Sequence, residues 1–189
     1  PRSLSAHVLA FAAAVQGPDL AHHNVFFANA PEAEFGPIAR GRLPEDPTVY
    51  VCAEDRGGTA APAPGSLERF ETIVNAPATG DRPDRPEEIQ ACLTRTLTRL
   101  AQSGLAFSPA PTTADLTTQR GFEALFPGSA GALYGRSPHG LMAAFARPTA
   151  RTRIAGLILA GGGAHPGAGV PMATLSGRHA AAAIMADRT

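Results

Sequence analysis

A glycine-rich segment near the end of the chain constrains the fold more than any other feature. Residues 161–171 read Gly-Gly-Gly-Ala-His-Pro-Gly-Ala-Gly-Val-Pro, and they follow the apolar run at 154–160. A continuously apolar run predicts a strand buried on both faces. Pro171 suits the first turn of a helix, where a missing N–H costs nothing. The segment therefore predicts a strand, a glycine turn and a helix from about 170 to 187, as in an α/β layer.

The glycine turn does not have the spacing of a dinucleotide-binding loop. In the G-x-G-x-x-G pattern, counting from Gly161 places Pro166 at the sixth position, and counting from Gly167 places Met172 there. The sequence also offers no following strand with an acidic residue for a ribose. We interpret the turn as a cap on a cofactor held mainly by other segments. The alternative is a non-catalytic α/β domain in which the turn only packs a helix on a sheet.

The remainder of the chain predicts short strands with helices. Strands are expected at 23–28, 48–53 and 69–75, and a strand or a short helix at 4–15. A helix is expected at 31–38, and a second one at 86–100, which has an apolar residue at every third or fourth position and ends before Gly104. Residues 114–126 are ambiguous. This pattern predicts a mostly antiparallel sheet with helices, an α+β arrangement, joined to the strand, turn and helix described above.

Charge and apolar content exclude several classes of protein. The 16 acidic and 16 basic residues balance, so no strong field favours nucleic acid. The longest apolar run, at 154–164, is shorter than the about 20 residues that a membrane-spanning helix needs. The chain begins without Met or a secretory leader, and we expect it to be a cytoplasmic piece of a longer protein.

The cysteines and histidines show no motif spacing. Cys52 and Cys92 are expected to be reduced and structural, as in cytosolic proteins. No metal site is predicted, because the spacing of the histidines matches no ligand motif. The histidines concerned are His7, His22, His23 and His179.

A serine hydrolase is a weaker alternative. The nucleophile elbow G-x-S-x-G fails around Ser137 at its last position, where His139 stands, and around Ser129 at its first, where Pro127 stands.

Residues 156–171 resemble the C-terminal signature of phytoene-desaturase-type carotenoid desaturases, which belong to the flavin amine oxidase superfamily. Ala164 replaces the usual Thr of that signature. The segments 133–135, 138–140 and 147–148 are similar to the region that precedes it. Residues 23–27, 34–35 and 47–56 resemble the subgroup of 1-hydroxycarotenoid 3,4-desaturases, also called methoxyneurosporene or hydroxyneurosporene dehydrogenases.

The resemblance implies an FAD-dependent oxidoreductase acting on a C–C bond of hydroxy- or methoxy-neurosporene-like carotenoids in a photosynthetic pathway. The alternatives are phytoene desaturase and another flavin amine-oxidase-like oxidoreductase. Residues 1–150 are then part of the substrate-binding domain, and residues 151–189 are the C-terminal segment of a Rossmann-like FAD-binding domain. An N-terminal Rossmann half would hold the ADP part of FAD, so the chain alone is expected to be inactive.

The resemblance also implies where the cofactor lies. The helix N-terminus would point at the pyrimidine edge of the flavin, and no catalytic residue is assigned, because the cofactor supplies the chemistry. His165 either holds the turn or handles a proton, and His139 lies in a loop. Peripheral membrane contact is expected through Phe122, Leu125 and Phe126. The expected flavin-lining residues are Gly163, His165, Pro166, Gly167, Gly169, Val170 and Pro171.

Overall fold

A computed structural model describes residues 2–58, 62–137, 142–143 and 146–187. The chain divides into two compact units, each described by itself below. The sheet unit is Ser5–Gly131, and the turn-helix unit is Pro1–Leu4 together with Ala132–Thr189. Helices combine with a mostly antiparallel sheet, so the α+β prediction is confirmed. The division of function at residue 150 stays a prediction.

The sheet unit is built on six strands among its described residues. The strands are β1 (Ser5–Gln16), β2 (His23–Phe26), β3 (Val49–Ala53), β4 (Glu68–Ala76), β5 (Ala106–Ser108) and β6 (Leu116–Thr117). Their spatial order is β2, β3, β4, β1 and β5, with the short β6 also paired to β1, and all these pairs are antiparallel.

The described residues of the sheet unit form three α-helices: α1 (Pro31–Ala39), α2 (Pro86–Gln102) and α3 (Gln119–Leu125). The predicted strands at 23–28, 48–53 and 69–75 and the two predicted helices are confirmed, with ends shifted by a few residues. The segment at 4–15 is a strand. The ambiguous segment at 114–126 divides into β6 and α3, because Thr118 accepts a hydrogen bond from the Gly121 amide and starts a helix there.

The core of the sheet unit lies between α2 and the sheet. Leu100 of α2 is 1% exposed and belongs to one buried cluster with Val51 and Phe70. The apolar spacing of α2 places this side of the helix towards the sheet, as the periodicity predicts. Phe11, Phe70 and Phe107 pack against one another, with ring centroids 4.9–5.7 Å apart. Burial of large side chains therefore stabilises this unit.

The turn-helix unit contains one helix among its described residues, α4 (Val170–Ala186), which confirms the helix predicted at 170–187. The strand predicted at 154–160 is wrong. Instead the chain turns at Gly156 (φ 78°), the Leu157 amide donates to the Ile154 carbonyl, and Ile158 forms one isolated bridge with Arg151. A strand in a sheet needs neighbouring strands along its edges for its backbone hydrogen bonds. The described part of this unit contains no strand, so the segment forms hydrogen bonds with residues close to it in sequence.

No helix among the described residues is both long and apolar enough to span a bilayer.

Candidate functional site

The glycine turn is closed by backbone hydrogen bonds of its own unit. The Ala164 amide donates to the Gly161 carbonyl at 3.1 Å, and the His165 amide donates to the Pro148 carbonyl at 2.8 Å. Ala164 itself is buried. The Thr-to-Ala difference from the signature therefore falls at a position that faces the interior of the unit, where a small apolar side chain fits.

Arg147 holds the turn from outside. Its Nη1 donates to the Gly162 carbonyl at 2.7 Å and to the Tyr134 carbonyl at 3.4 Å. Its guanidinium also borders Gly167, whose missing Cβ would lie 3.6 Å from Arg147 Nε. Charged hydrogen bonds of this kind are stronger than neutral ones, so Arg147 fixes the path of the turn.

The other end of the turn is fixed by helix α4. The fully buried hydroxyl of Ser176 accepts a hydrogen bond from the Gly161 amide at 3.2 Å. Sequence reasoning assigned no positioning role to Arg147 or Ser176. A signal exists in each case: Arg147 belongs to a segment that resembles the family, and Ser176 is a polar residue on the face of α4 that also carries the buried Ala180 and Ala183.

Helix α4 begins without a side-chain cap. Its N-cap is Gly169, at φ 93° and ψ 151°, where only glycine is comfortable. Pro171 stands in the first turn, and Val170 is 80% exposed. The first N–H groups of a helix have no partner within it and carry a partial positive charge. This helix start is therefore an open electropositive end that can accept an anionic group.

The seven predicted cofactor-binding residues lie in the glycine turn and in the first turn of α4, and their contact with a cofactor stays a prediction. Gly167 is buried, whereas His165 is exposed, and its ring lies parallel to that of His179 at 6.3 Å between centroids. The His165 amide, rather than its ring, makes the hydrogen bond that shapes the turn. Pro166 follows His165 through a cis peptide bond.

The backbone requires glycine at some positions of the turn but not at others. Gly167 has φ 147°, which other residues rarely adopt. Gly163 does not have a positive φ, and a Cβ built on it would meet nothing within 4 Å. The chain's own packing therefore does not require glycine at 163. Close approach of a ligand to this backbone would require it.

The hydrolase alternative gains nothing from the geometry. Ser129 Oγ donates to the Glu123 carboxylate and accepts from the Gly131 amide, so it closes a loop of the sheet unit. The same carboxylate accepts hydrogen bonds from the Gly128 and Ala130 amides, and the Gly128 amide is the main reason that the pKa of Glu123 is lowered. His139 lies outside the described residues.

Comparison with known proteins gives relatives along nearly the whole chain, although no family model matches it. The hydroxyneurosporene desaturase of Cereibacter sphaeroides is 59% identical over 99% of this chain and 37% of its own length. The hydroxyneurosporene desaturase of Rubrivivax gelatinosus is 47% identical over 98% of this chain and 35% of its length. The 4,4'-diapolycopene oxygenase of a Methylomonas species is 30% identical over 90% of this chain and 35% of its length.

The chain thus spans a little over a third of the length of the relatives it matches. Identity of 59% over 99% of this chain leaves little room for a different fold in this region. The resemblance of the glycine turn and the similarity of the whole chain agree, and both relate this chain to part of the carotenoid desaturases.

Proposed function

We propose that this chain is the C-terminal portion of an FAD-dependent desaturase that removes two hydrogens from a C–C bond of a hydroxyneurosporene-like carotenoid. The single observation that carries this is the glycine turn at 161–171, which leads into an uncapped helix within a chain 59% identical to hydroxyneurosporene desaturases. FAD, when bound, supplies the two-electron acceptor that an unactivated C–C bond requires.

The residues of the turn fit a flavin. The start of α4 offers N–H groups and a partial positive charge, which favour a ring that becomes anionic when reduced. Gly163 leaves its backbone open to close approach, and Gly169 has no side chain that would cover the helix start. We assign contact with the flavin to Gly163, His165, Pro166, Gly167, Gly169, Val170 and Pro171.

Arg147 and Ser176 act through the turn. Arg147 binds the Gly162 carbonyl, and Ser176 binds the Gly161 amide, so both ends of the glycine segment are anchored. Such anchoring keeps the backbone in position for a ligand without reorganisation, which is how preorganised sites gain affinity. His165 contributes its amide to the turn, and we assign it no proton transfer.

The segment 151–189 is proposed to complete a Rossmann-like FAD domain whose other half lies elsewhere in the protein. Ile154 is 65% exposed and Leu157 is 44% exposed. Apolar residues in a continuous run favour burial. Neighbouring strands of that half would cover them and give the run the strand environment that its composition favours.

The sheet unit is proposed to supply part of the wall of the carotenoid site. Helices α2 and α3 border a groove of about 830 Å³, whose lining combines apolar side chains such as Ile89, Leu116 and Leu125 with Asp84, Gln90 and three threonines. The apolar part of this lining suits a polyene, because burial of a polyene is favourable without specific polar contacts. Leu125 and Phe126, both about two-thirds exposed, would touch the membrane surface from which such a substrate is drawn.

A chimera tests this proposal. This chain would replace the matching 187 residues of the Cereibacter sphaeroides hydroxyneurosporene desaturase, with which it is 59% identical. We expect the purified chimera to retain bound FAD and to desaturate hydroxyneurosporene in liposomes. The chain alone should bind little FAD and show no turnover. A folded chimera without flavin, or a chain that desaturates unaided, would contradict the proposal.

A further inference from the structure

Three potential metal ligands meet at one end of the sheet unit, far in sequence from the glycine turn. Cys52 Sγ lies 3.7 Å from His22 Nε2 and 3.8 Å from His23 Nδ1. The three ligand atoms all lie within 4.8 Å of one another. Around a tetrahedral zinc ion, bond lengths of about 2.3 Å to sulfur and 2.0–2.1 Å to nitrogen place sulfur and nitrogen about 3.6 Å apart and the two nitrogens about 3.3 Å apart. The two observed sulfur–nitrogen distances are close to this value, and a nitrogen–nitrogen distance within 4.8 Å requires at most a small movement of the rings.

Strand register explains why the three residues meet. His23 at the start of β2 lies directly opposite Cys52 of β3, so their side chains share one face of the sheet. Consecutive residues of a strand point to opposite faces of the sheet, but His22 precedes β2, so its side chain can lie on the same side as that of His23. The amide of Ala53 donates to the His22 carbonyl, which holds this residue beside β3. The sequence did not reveal these three residues as a ligand set, because Cys52 follows His23 only after 29 residues.

The histidine tautomers suit metal binding. His22 Nδ1 lies 2.9 Å from the Ala53 carbonyl, an acceptor only, so Nδ1 carries the proton and Nε2 presents its lone pair to Cys52. A backbone carbonyl in this role is the usual outer partner of a metal-bound histidine. Gly57 borders the same ring, since a Cβ there would lie 3.0 Å from His22 Nδ1. The ring is thus fixed from two sides.

His23 Nδ1 accepts a hydrogen bond from a neighbouring hydroxyl, which a metal ion would displace. Tyr50 Oη lies 2.7 Å from His23 Nδ1, and we assign the proton to the hydroxyl, so the ring nitrogen keeps the lone pair that a metal ion would take. The local charge also favours a cation. Glu71 lies opposite Cys52 in the register of β3 and β4, and both Glu54 and Glu71 act electrostatically on the Cys52 thiol.

We propose that His22, His23 and Cys52 bind one Zn²⁺ ion. Two imidazoles and a thiolate are ligands that zinc prefers, and the fourth position is left to water. Binding releases the Cys52 thiol proton to solvent, and no electron transfer is involved. Because β2 is an edge strand, the ion would fasten it to β3 and stabilise this end of the sheet.

Cobalt titration of the reduced 189-residue chain tests the site, because Co²⁺ is a spectroscopic stand-in for zinc. We expect one equivalent to give tetrahedral visible bands and a thiolate-to-cobalt charge-transfer band, both lost when Zn²⁺ is added. Zinc should also raise Tm. If the wild-type chain gives no charge-transfer band at one equivalent, the proposal is overturned.

Substitutions identify the ligands. His22→Gln, His23→Gln and Cys52→Ser should each weaken Zn²⁺ binding by about tenfold or more, since even outer partners of a metal are worth about 10- to 100-fold. The Cys52 variant should also lose the charge-transfer band. Cys92→Ala and His179→Gln are the matched controls and should bind as the wild type does. Controls that weaken binding equally, or ligand variants that do not, would overturn the assignment.

Two further variants decide the matter if a ligand variant does not fold. Gly57 has φ −81°, so Gly57→Ala strains no backbone and acts only by displacing the His22 ring. We expect it to weaken Zn²⁺ binding by about tenfold. Tyr50→Phe removes a group that competes for His23 Nδ1 and should leave binding intact or tighter. Unchanged binding in the first, or loss of binding in the second, would contradict the geometry.

Discussion

The two units of this chain bury different kinds of apolar side chain. In the sheet unit the core contains large residues such as Val51, Phe70 and Leu100, all 2% exposed or less. In the described part of the turn-helix unit the buried apolar side chains are all alanines, while Ile154 and Leu157 are exposed. The buried alanines of the turn-helix unit are Ala150, Ala164, Ala180 and Ala183.

The two units are therefore stabilised by different interactions. Large buried side chains stabilise the sheet unit through the hydrophobic effect, as in an ordinary domain core. The turn-helix unit depends on hydrogen bonds to backbone atoms from Arg147, Ser176 and Arg151, whose guanidinium binds the Ala183 carbonyl and Asp187. A segment with little core of its own suits the proposal that it completes a domain formed with other residues.

The largest expected effect tests the core of the sheet unit. Leu100→Ala removes a side chain that is 1% exposed, and should lower the free energy of unfolding by about 2–5 kcal/mol. Leu157→Ala, the matched change in the turn-helix unit, removes a side chain that is 44% exposed and should cost about 0.5 kcal/mol or less. Urea denaturation of the 189-residue chain measures both. Equal losses would contradict the contrast between the units.

The next effect concerns the hydrogen bonds of the turn. Arg147→Gln removes the charged donor to the Gly162 carbonyl and should lower the local opening free energy by about 1.5–3 kcal/mol. Hydrogen exchange should accelerate at the Ala164 and His165 amides, which close the turn, and stay unchanged at Val51. Faster exchange throughout the chain would show that Arg147 also stabilises the sheet unit, and would contradict the proposed difference between the two units.

A pH dependence distinguishes the sheet unit further. Burial lowers the pKa of His7 below its ordinary value of 6.5, although a hydrogen bond with Gln119 and the charge of Asp84 oppose this. The unfolded chain therefore binds the proton more readily, and stability is lost as the pH falls below about 6.5. His7→Gln should reduce this slope in urea denaturation between neutral and mildly acid pH. An unchanged slope would rule out His7 as the cause.

The smallest expected effect separates the glycines of the turn. Gly163→Ala meets nothing within 4 Å and has no positive φ, so it should leave the free energy of unfolding of the 189-residue chain nearly unchanged. Gly167→Ala must adopt φ 147° and should cost about 1–2 kcal/mol. Thermal or urea denaturation compares the two. A large cost at Gly163 would mean that the chain's own packing, and not a ligand, requires that glycine.

Much of the sheet unit could be predicted from the sequence, because its signals are local. Periodicity predicted the helix at 86–100, short apolar runs predicted β2 and β3, and alternation of polar and apolar residues predicted β4. The prediction of a strand at 154–160 was wrong. The apolar composition of this segment favours pairing with neighbouring strands, and the described part of its unit contains no such strands. A strand forms from pairing partners, and composition alone does not supply them.

The sequence predicted which segment forms the candidate site, but not the contacts that hold this segment in place. The residue order from Gly163 to Pro171 identifies the turn. The hydrogen bonds that Arg147 and Ser176 make with it depend on how residues distant in sequence fold back. The cluster of His22, His23 and Cys52 was missed for the same reason, since it arises from strand register.

Flavin content of the chimera with the Cereibacter sphaeroides desaturase tests the central claim most directly. Gly163→Val should reduce the ratio of bound FAD to protein by at least about tenfold, because the new side chain would occupy the space that a flavin needs. Gly58→Val, at an equally open glycine of the sheet unit, is the matched control and should keep the wild-type ratio. A folded Gly163→Val chimera with full FAD content would contradict the claim that this turn contacts the flavin.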